Sequence, residues 1–171
     1  CNTTGCDTIT KQVTIPVPCN VSYCTPANLY TGGQWISHFQ IGTIDNKSSI
    51  VVGKTHYDYT SLNTTLQIGS DQNQFMLRYG TGQYNFNPYV TIWIDFNMDN
   101  IFQSSEIVYN TRVDPIKYSG DTLIIQGKII VPYNALAGKT RMRVMSRSAN
   151  SVLNPCNTIS GQVFEAEDYS V

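Results

Sequence analysis

The chain has 171 residues, of which 41% are hydrophobic and 13% are charged, and its formal net charge is −1. This length suits one domain with or without a short extra segment, and the hydrophobic content is enough for a buried core. Cations this sparse offer no phosphate-binding field, and no stretch approaches the ~20 apolar residues of a membrane helix. The composition therefore argues against nucleic acid as a partner and against membrane insertion. With few charged residues, the chain must stay soluble through Asn, Thr, Ser, Gln and Tyr. Such a composition is typical of extracellular β-proteins.

The cysteines are concentrated near the start of the chain. Four of the five lie in the first 24 residues, and the fifth lies near the other end. They are Cys1, Cys6, Cys19, Cys24 and Cys156. Their spacing lacks the two close pairs of a zinc site, so we expect disulfides formed in an oxidising, extracellular compartment. The odd number suggests a piece of a longer chain, whose neighbouring domains would be its partners.

A domain boundary is predicted near Pro18. The segment from Lys11 alternates like a strand until Pro16 and Pro18, which force an extended link. Residues 1–18 are therefore interpreted as the end of a preceding module or as a linker. Residues 19–171 are interpreted as one β-domain.

Alternation with a period of two residues continues through most of that domain. The predicted strands are Trp35 to Ile41, Thr65 to Ile68, Gln74 to Tyr79, Tyr89 to Phe96, Thr122 to Val131, Thr140 to Ser146 and Gln162 to Val171. Helical spacing is nearly absent, and a single turn is predicted over Pro132 to Gly138. The pattern predicts an all-β fold, an antiparallel β-sandwich of jelly-roll kind. The strands Tyr89 to Phe96 and Leu123 to Val131 are expected to be central.

The segment from Asp95 to Glu106 has the pattern of a calcium-binding loop. Calcium takes six to eight oxygens, and an EF-hand loop supplies them from positions 1, 3, 5, 7, 9 and 12. Counted from Asp95, those positions hold Asp95, Asn97, Asp99, the carbonyl of Ile101, Gln103 and Glu106. Position 6 needs a left-handed backbone, which Asn100 tolerates better than most residues.

This loop follows a predicted strand and not a helix, so we expect an EF-hand-like calcium loop inserted between strands. The alternative is a β-turn rich in Asn and Asp that binds no metal. Glu106 at position 12 favours calcium, because a simple turn has no need of an acid there. Extracellular modules of this kind bind calcium with a Kd of roughly 10⁻⁴ to 10⁻³ M.

A second acidic cluster lies in the last predicted strand. Glu165 and Glu167 share one face of that strand, whereas Asp168 lies on the other. Like charges on one face repel unless a cation lies between them. Arg141 and Arg143 share a face of their own strand, and ion pairing with them is the preferred interpretation. A second metal site is the alternative.

No catalytic motif accompanies these features. His38 and His56 are the only histidines, and neither belongs to a His-Glu-x-x-His metal motif. No Gly-x-Ser-x-Gly elbow is present either. We therefore expect a protein that is not an enzyme.

The ordered motifs together resemble the GEVED domain, an all-β module of secreted multidomain bacterial proteins, many of them from Bacteroidota. The motifs are Tyr23-Cys24, His56 to Thr60, Trp93 to Asp99, Arg141 to Arg143, Cys156 and Glu165 to Tyr169. The resemblance covers about Tyr23 to Val171 and implies a disulfide between Cys24 and Cys156. It implies no enzymatic activity, and residues 1–18 resemble the end of a PKD or immunoglobulin-like repeat. Phe164 and Ala166 replace the Gly and Val of the motif that gives the domain its name.

Three functions are compatible with this sequence. The first is a non-catalytic, calcium-stabilised extracellular module with a structural or adhesive role, whose partner would be a neighbouring domain or a cell-surface protein. The second is a carbohydrate-binding module, in which Tyr79 and Tyr84 would stack on a glycan. The third is an accessory domain of an exported metallopeptidase, since such enzymes carry the domain that the sequence resembles.

Overall fold

The computed structural model describes residues 21–26, 34–49, 51, 53–81, 89–112, 123–147, 154–156 and 164–171. These residues form nine strands and one 3₁₀ turn, Ser104–Glu106, and contain no α-helix. The strands are β1 (Gln34–Ile41), β2 (Ile44–Lys47), β3 (His56–Asn63), β4 (Asn73–Thr81), β5 (Tyr89–Ile94), β6 (Ile107–Arg112), β7 (Leu123–Ile129), β8 (Arg141–Arg147) and β9 (Phe164–Ser170). The predicted all-β fold is confirmed. No helix among these residues has the length and apolar character needed to cross a membrane.

One sheet has four antiparallel strands in the order β2, β1, β4, β7. β1 and β2 join through a tight turn in which Gly42 has a φ of +53°. A Cβ at Gly42 would lie 2.1 Å from Oγ1 of Thr64. The turn therefore requires glycine both for its backbone conformation and for the space beside it. The Thr64 hydroxyl also accepts the N–H of Thr43 at 3.0 Å, which ties the turn to the segment after β3.

The other sheet has five strands in the order β3, β9, β8, β5, β6. β9 runs antiparallel to β8 but parallel to β3. The prediction of an entirely antiparallel sandwich is therefore wrong for the pair β3 and β9. Alternation along a strand shows which residues share a face, but it does not show the direction of the neighbouring strand.

The main core lies between the two sheets. Side chains from both contribute to it, including Phe39 and Leu77 from one sheet and Ile92, Val144 and Tyr169 from the other, each at most 1% exposed. This packing confirms the β-sandwich; its description as a jelly roll stays a prediction. Burial of this apolar surface is the main favourable contribution to folding.

A second, smaller core covers the outer face of the five-stranded sheet. Trp93, Met145 and Ala166 point outward from β5, β8 and β9 and pack with Phe102, while Tyr23 lies against them. The central strands of this sheet are therefore buried on both faces, which is why β5 and β8 show almost no exposed residue. This outer layer brings residues 21–26, the described segment before β1, next to the predicted calcium loop.

Some strand predictions differ from the structure. Thr65 to Ile68 is not a strand but part of the connection from β3 to β4, where Gly69 donates its N–H to the carbonyl of Val131 at 2.9 Å. β2, β3 and β6 were not predicted, because their sequences mix polar residues into both faces. Within 132–138 the structure has a hydrogen-bonded turn at 132–135, where the N–H of Ala135 bonds to the carbonyl of Pro132 at 3.1 Å, and no helix.

The expected central position is correct for β5 and wrong for β7. β5 lies between β8 and β6, whereas β7 pairs with β4 alone among the described strands. Ile124 on the open face of β7 is 48% exposed, because only one face of this strand is covered. The length and apolar content of a strand therefore did not determine its place in the sheet.

Several predictions fall on residues outside the described ranges. These are the preceding module at 1–18 with the boundary at Pro18, the pairing of Cys1, Cys6 and Cys19, and the glycan contact at Tyr84.

Candidate calcium loop and the segment that covers it

The predicted calcium loop connects two adjacent antiparallel strands. Asp95 directly follows β5, and Glu106 ends the 3₁₀ turn that leads into β6. Trp93 and Ile107 are register partners just before and just after the loop. A strand pair thus holds the two ends of the loop together, where an EF-hand would use two helices. Whether the loop binds calcium stays a prediction.

The carboxylate of Asp95 is the most buried group of the loop, with a side chain that is 0% exposed. Its Oδ1 accepts the N–H of Asp99 at 3.2 Å, and its Oδ2 accepts the N–H of Asn100 at 3.0 Å. Oδ2 also accepts the hydroxyl of Tyr23 at 2.5 Å. Asp95 therefore joins the first half of the loop to the segment before β1.

Asn97 and Asp99 make local turns of the kind that Asx residues favour. Oδ1 of Asn97 accepts the N–H of Asp99 at 3.1 Å, and Oδ1 of Asp99 accepts the N–H of Ile101 at 2.8 Å. Asn100 has a φ of +65°, which is the left-handed conformation expected at position 6. Met98 also has a positive φ, +57°, and the sequence did not predict this second left-handed residue.

Glu106 turns its carboxylate toward the backbone of the loop. Oε1 accepts the N–H of Phe96 at 3.0 Å, and Oε2 accepts the N–H of Gln103 at 3.0 Å. Burial, together with the nearby charge of Asp95, raises the pKa of Glu106, although the backbone donors lower it in part. The acid at position 12 thus closes the loop through hydrogen bonds.

Two side-chain amides bond to the remaining carboxylate of the loop, that of Asp99. Oδ2 of Asp99 accepts from Nδ2 of Asn97 at 3.0 Å and from Nε2 of Gln103 at 2.5 Å. In this geometry no three His, Cys, Asp or Glu side chains of the described residues converge enough to hold a metal ion. Glu106 and Gln103 would have to rotate to present oxygen to a shared cation.

The chemistry of the donor set nevertheless fits calcium. Every predicted ligand is an oxygen: three carboxylates, two side-chain amides and the carbonyl of Ile101, whose side chain is exposed. Hard cations prefer such ligands, and calcium accepts them in flexible geometries. The Asx turns and the left-handed Asn100 already give the loop a tight curvature.

Tyr23 covers this loop from the outer face of the sheet. Its ring lies 5.1 Å from the ring of Phe102, and the guanidinium of Arg141 lies 4.3 Å from its centre. Burial and the bond to Asp95 raise the pKa of Tyr23 to about 12, so its hydroxyl stays protonated as a donor. Thr140 completes the contact, because its hydroxyl donates to the carbonyl of Asp95 at 2.7 Å.

The residue after Tyr23 is held by a disulfide. Cys24 and Cys156 are joined, with their Cα atoms 5.4 Å apart, and this is the pairing that the resemblance implies. Arg143 stabilises the chain on both sides of the disulfide, since it donates to the carbonyl of Cys24 at 2.8 Å and to that of Pro155 at 2.7 Å. The segment before β1 is thus fixed both covalently and through hydrogen bonds.

The acids of β9 divide between the two faces as alternation predicted, and the preferred interpretation, ion pairing with Arg141 and Arg143, is confirmed for Asp168 alone. Asp168 faces outward, pairs with Arg143, and lies 3.3 Å from Arg141. Glu165 and Glu167 face the main core, whereas Arg141 and Arg143 lie on the opposite side of the sheet. Ion pairing with these arginines is therefore wrong for the two glutamates. The second metal site stays a prediction.

The two buried glutamates accept hydrogen bonds on one carboxylate oxygen, Oε2. Oε2 of Glu165 accepts the N–H of Ile36 at 2.5 Å, and Oε2 of Glu167 accepts the hydroxyl of Tyr169 at 2.7 Å. The Oε1 atoms of both have no hydrogen-bond partner. Burial and the charge of Glu167 raise the pKa of Glu165 to about 9. Burial raises the pKa of Glu167 to about 8. Both are therefore mainly protonated at neutral pH.

The pKa of Asp168 is shifted in the opposite direction, downward. Burial alone would raise its pKa, but hydrogen bonds and charges from Arg143 and His56 hold it below its ordinary value. The Nε2 atom of His56 lies 3.0 Å from Oδ2 of Asp168. His56 is thus part of a structural cluster.

The predicted glycan contact receives little support from the structure. Tyr79 is 2% exposed and belongs to the main core, so its ring is not open to a sugar. Tyr133, which was not a predicted glycan contact, is 89% exposed.

Sequence reasoning missed the role of Tyr23 at the loop. Tyr23 belongs to the Tyr23-Cys24 motif, and nothing in its spacing pointed to Asp95, 72 residues away. Its position next to a disulfide cysteine was the available signal, because the disulfide fixes where that ring must lie.

The fold and the loop define a class: a β-sandwich whose five-stranded sheet carries an acidic, oxygen-rich loop between adjacent strands. A family model described as the GEVED domain matches residues 89–171. The match begins at the first residue of β5 and includes the loop, β8 and the acidic strand β9. Over this part the chain is similar to that domain. No curated protein matches the chain.

Proposed function

We propose that this chain is a non-catalytic structural module whose loop between β5 and β6 binds calcium and is stabilised by it. The observation that carries the proposal is the junction at Asp95. This residue meets the loop through Asn100, the segment before β1 through Tyr23, and the start of β8 through Thr140. A cation bound there would stabilise three parts of the molecule at once.

The electrostatics support a cation in this loop. Asp95, Asp99 and Glu106 bring three acids into twelve residues, and the pKa of Glu106 is raised in part by the charge of Asp95. A divalent cation would relieve that repulsion. Its binding would release Asn97 and Gln103 from their bonds to Asp99.

We also propose an extracellular location for the module, on the surface or in a secreted chain with further domains. The Cys24 to Cys156 disulfide supports this, since such bonds persist mainly in oxidising compartments. Calcium sites of modest affinity suit the same surroundings. A structural or adhesive role between neighbouring domains, or toward a cell-surface protein, follows as the simplest use of the module. The alternatives are a carbohydrate-binding module and an accessory domain of an exported metallopeptidase.

Thermal unfolding in calcium and in EDTA tests the proposal. At a calcium concentration ten times Kd, a single site stabilises the folded state by about 1.4 kcal/mol. We expect Tm to rise with calcium in the wild type and in Asp71→Ala, which removes an exposed acid elsewhere. The double variant Asp95→Ala, Asp99→Ala should show no calcium-dependent rise. Equal calcium effects in the double variant and the wild type would reject the site.

A further inference from the structure

The two oxygens of the Asp95 carboxylate differ in their hydrogen bonds. Oδ2 accepts the Tyr23 hydroxyl at 2.5 Å and the N–H of Asn100 at 3.0 Å. Oδ1 accepts the N–H of Asp99 at the longer distance of 3.2 Å. Since a carboxylate oxygen has about two lone-pair sites, Oδ2 is saturated and Oδ1 keeps one. The carboxylate is thus oriented to offer a single oxygen.

Tyr23 reaches this oxygen from a fixed position. Phe102 lies against one side of its ring, and the guanidinium of Arg141 lies over the ring as well. The hydroxyl of Thr140 is 3.4 Å from that of Tyr23. The contacts with Phe102 and Arg141 therefore orient the aromatic ring without involving its hydroxyl.

The tether of Tyr23 is the neighbouring disulfide. Residues 21–26 form no strand or helix, so no ladder of backbone bonds holds Tyr23 in place. Cys24 is instead bonded to Cys156, and Arg143 donates to carbonyls on both sides of that bond. The disulfide and these hydrogen bonds thus hold the residue next to Tyr23 in place.

We propose that Tyr23 is a positioning residue for calcium: its hydroxyl fixes Asp95 as a one-oxygen ligand, and the Cys24 to Cys156 disulfide keeps it there. This inference rests on the proposed calcium site and adds a residue outside the loop to it. Groups that orient a metal ligand through hydrogen bonds typically change metal affinity by about 10-fold to 100-fold when they are removed. The affinity of the loop is then set partly by a covalent bond on another segment.

Calcium titration by calorimetry tests the first half of the proposal, with Tyr23→Phe as the variant and Tyr133→Phe as the matched control. Tyr23→Phe keeps the ring contacts and removes the donor, so we expect its Kd to rise about tenfold. Tyr133→Phe alters an exposed hydroxyl and should bind as the wild type does. A role in stability alone would lower Tm in EDTA but leave Kd unchanged. Equal Kd for Tyr23→Phe and the wild type overturns the positioning role, while a wild type without calcium binding overturns the site itself.

The double variant Cys24→Ser, Cys156→Ser tests the tether. We expect it to bind calcium more weakly than the wild type, by up to the same factor of about ten. Adding Tyr23→Phe to it should then weaken binding little further, because both changes act through one contact. If the loss of affinity in the triple variant equals the product of the losses in Tyr23→Phe and in the cysteine variant, the disulfide acts independently of Tyr23. That result would overturn this part of the proposal.

Discussion

Arg143 and Asp168 form a two-pronged ion pair, with Nε to Oδ1 and Nη2 to Oδ2 both at 2.7 Å, and neither side chain is exposed to solvent. The two residues are register partners on β8 and β9. Arg143 also donates to the carbonyls of Cys24 and Pro155, on the two sides of the disulfide. This pair therefore links the acidic strand to the segment that carries Tyr23.

Arg143→Met should be strongly destabilising. It would leave Asp168 buried with a weaker set of partners and free the carbonyl of Cys24 from its bond. Breaking a buried pair by removing one partner typically costs about 3–5 kcal/mol, and we expect the lower end because His56 and Arg141 remain near Asp168. Urea unfolding measures the loss, with the exposed Arg78→Met as control. A loss below ~1 kcal/mol would show that this pair does not stabilise the sandwich.

Stability should decrease as the pH rises from about 5 to about 9. The folded state holds protons on Glu165 and Glu167 up to pKa values of about 9 and about 8, whereas the unfolded chain releases them near the ordinary value of about 4.5. The folded state thus binds more protons in this window, and its stability falls as they are lost. Urea unfolding across this pH range, in EDTA, measures the slope.

Glu167→Gln provides the control for that slope. The amide cannot ionise, so the variant should be less sensitive to pH and more stable than the wild type at pH 9, by on the order of 2 kcal/mol. Asp71→Asn, at an exposed acid, should leave the wild-type slope unchanged. A wild-type stability that is flat or rises between pH 5 and pH 9 contradicts the burial of protonated glutamates.

Gly42→Ala should destabilise the protein more than Gly53→Ala. Both glycines have positive φ, +53° and +86°, so both variants share the backbone strain. A Cβ at Gly42 would lie 2.1 Å from Oγ1 of Thr64, whereas a Cβ at Gly53 has nothing within 4 Å. We expect a cost of about 1 kcal/mol at Gly53 and a further 1–3 kcal/mol at Gly42 from the clash. Equal Tm values for the two variants would show that Thr64 moves away freely.

The sequence was most informative where local chemistry determines structure. The left-handed backbone at Asn100 was predicted from its position in the loop, and the opposite faces of Glu167 and Asp168 followed from alternation. Both depend on residues close in the chain, whose geometry is limited to a few conformations.

Long-range partners were not predictable in the same way. The register that sets Arg143 opposite Asp168, the parallel pairing of β3 with β9 and the approach of Tyr23 to Asp95 all join distant segments. Alternation is compatible with several registers and with either strand direction, so only the packed fold selects among them.

A calcium titration followed by the backbone amide resonances of the loop tests the central proposal most directly. The N–H groups of Asn100 and Ile101 bond to Asp95 and Asp99, so they report on both carboxylates. We expect the resonances of residues 95–106 to shift and to saturate with a Kd of roughly 10⁻⁴ to 10⁻³ M, while those of the four-stranded sheet stay in place. Loop resonances that do not move at millimolar calcium would contradict the account.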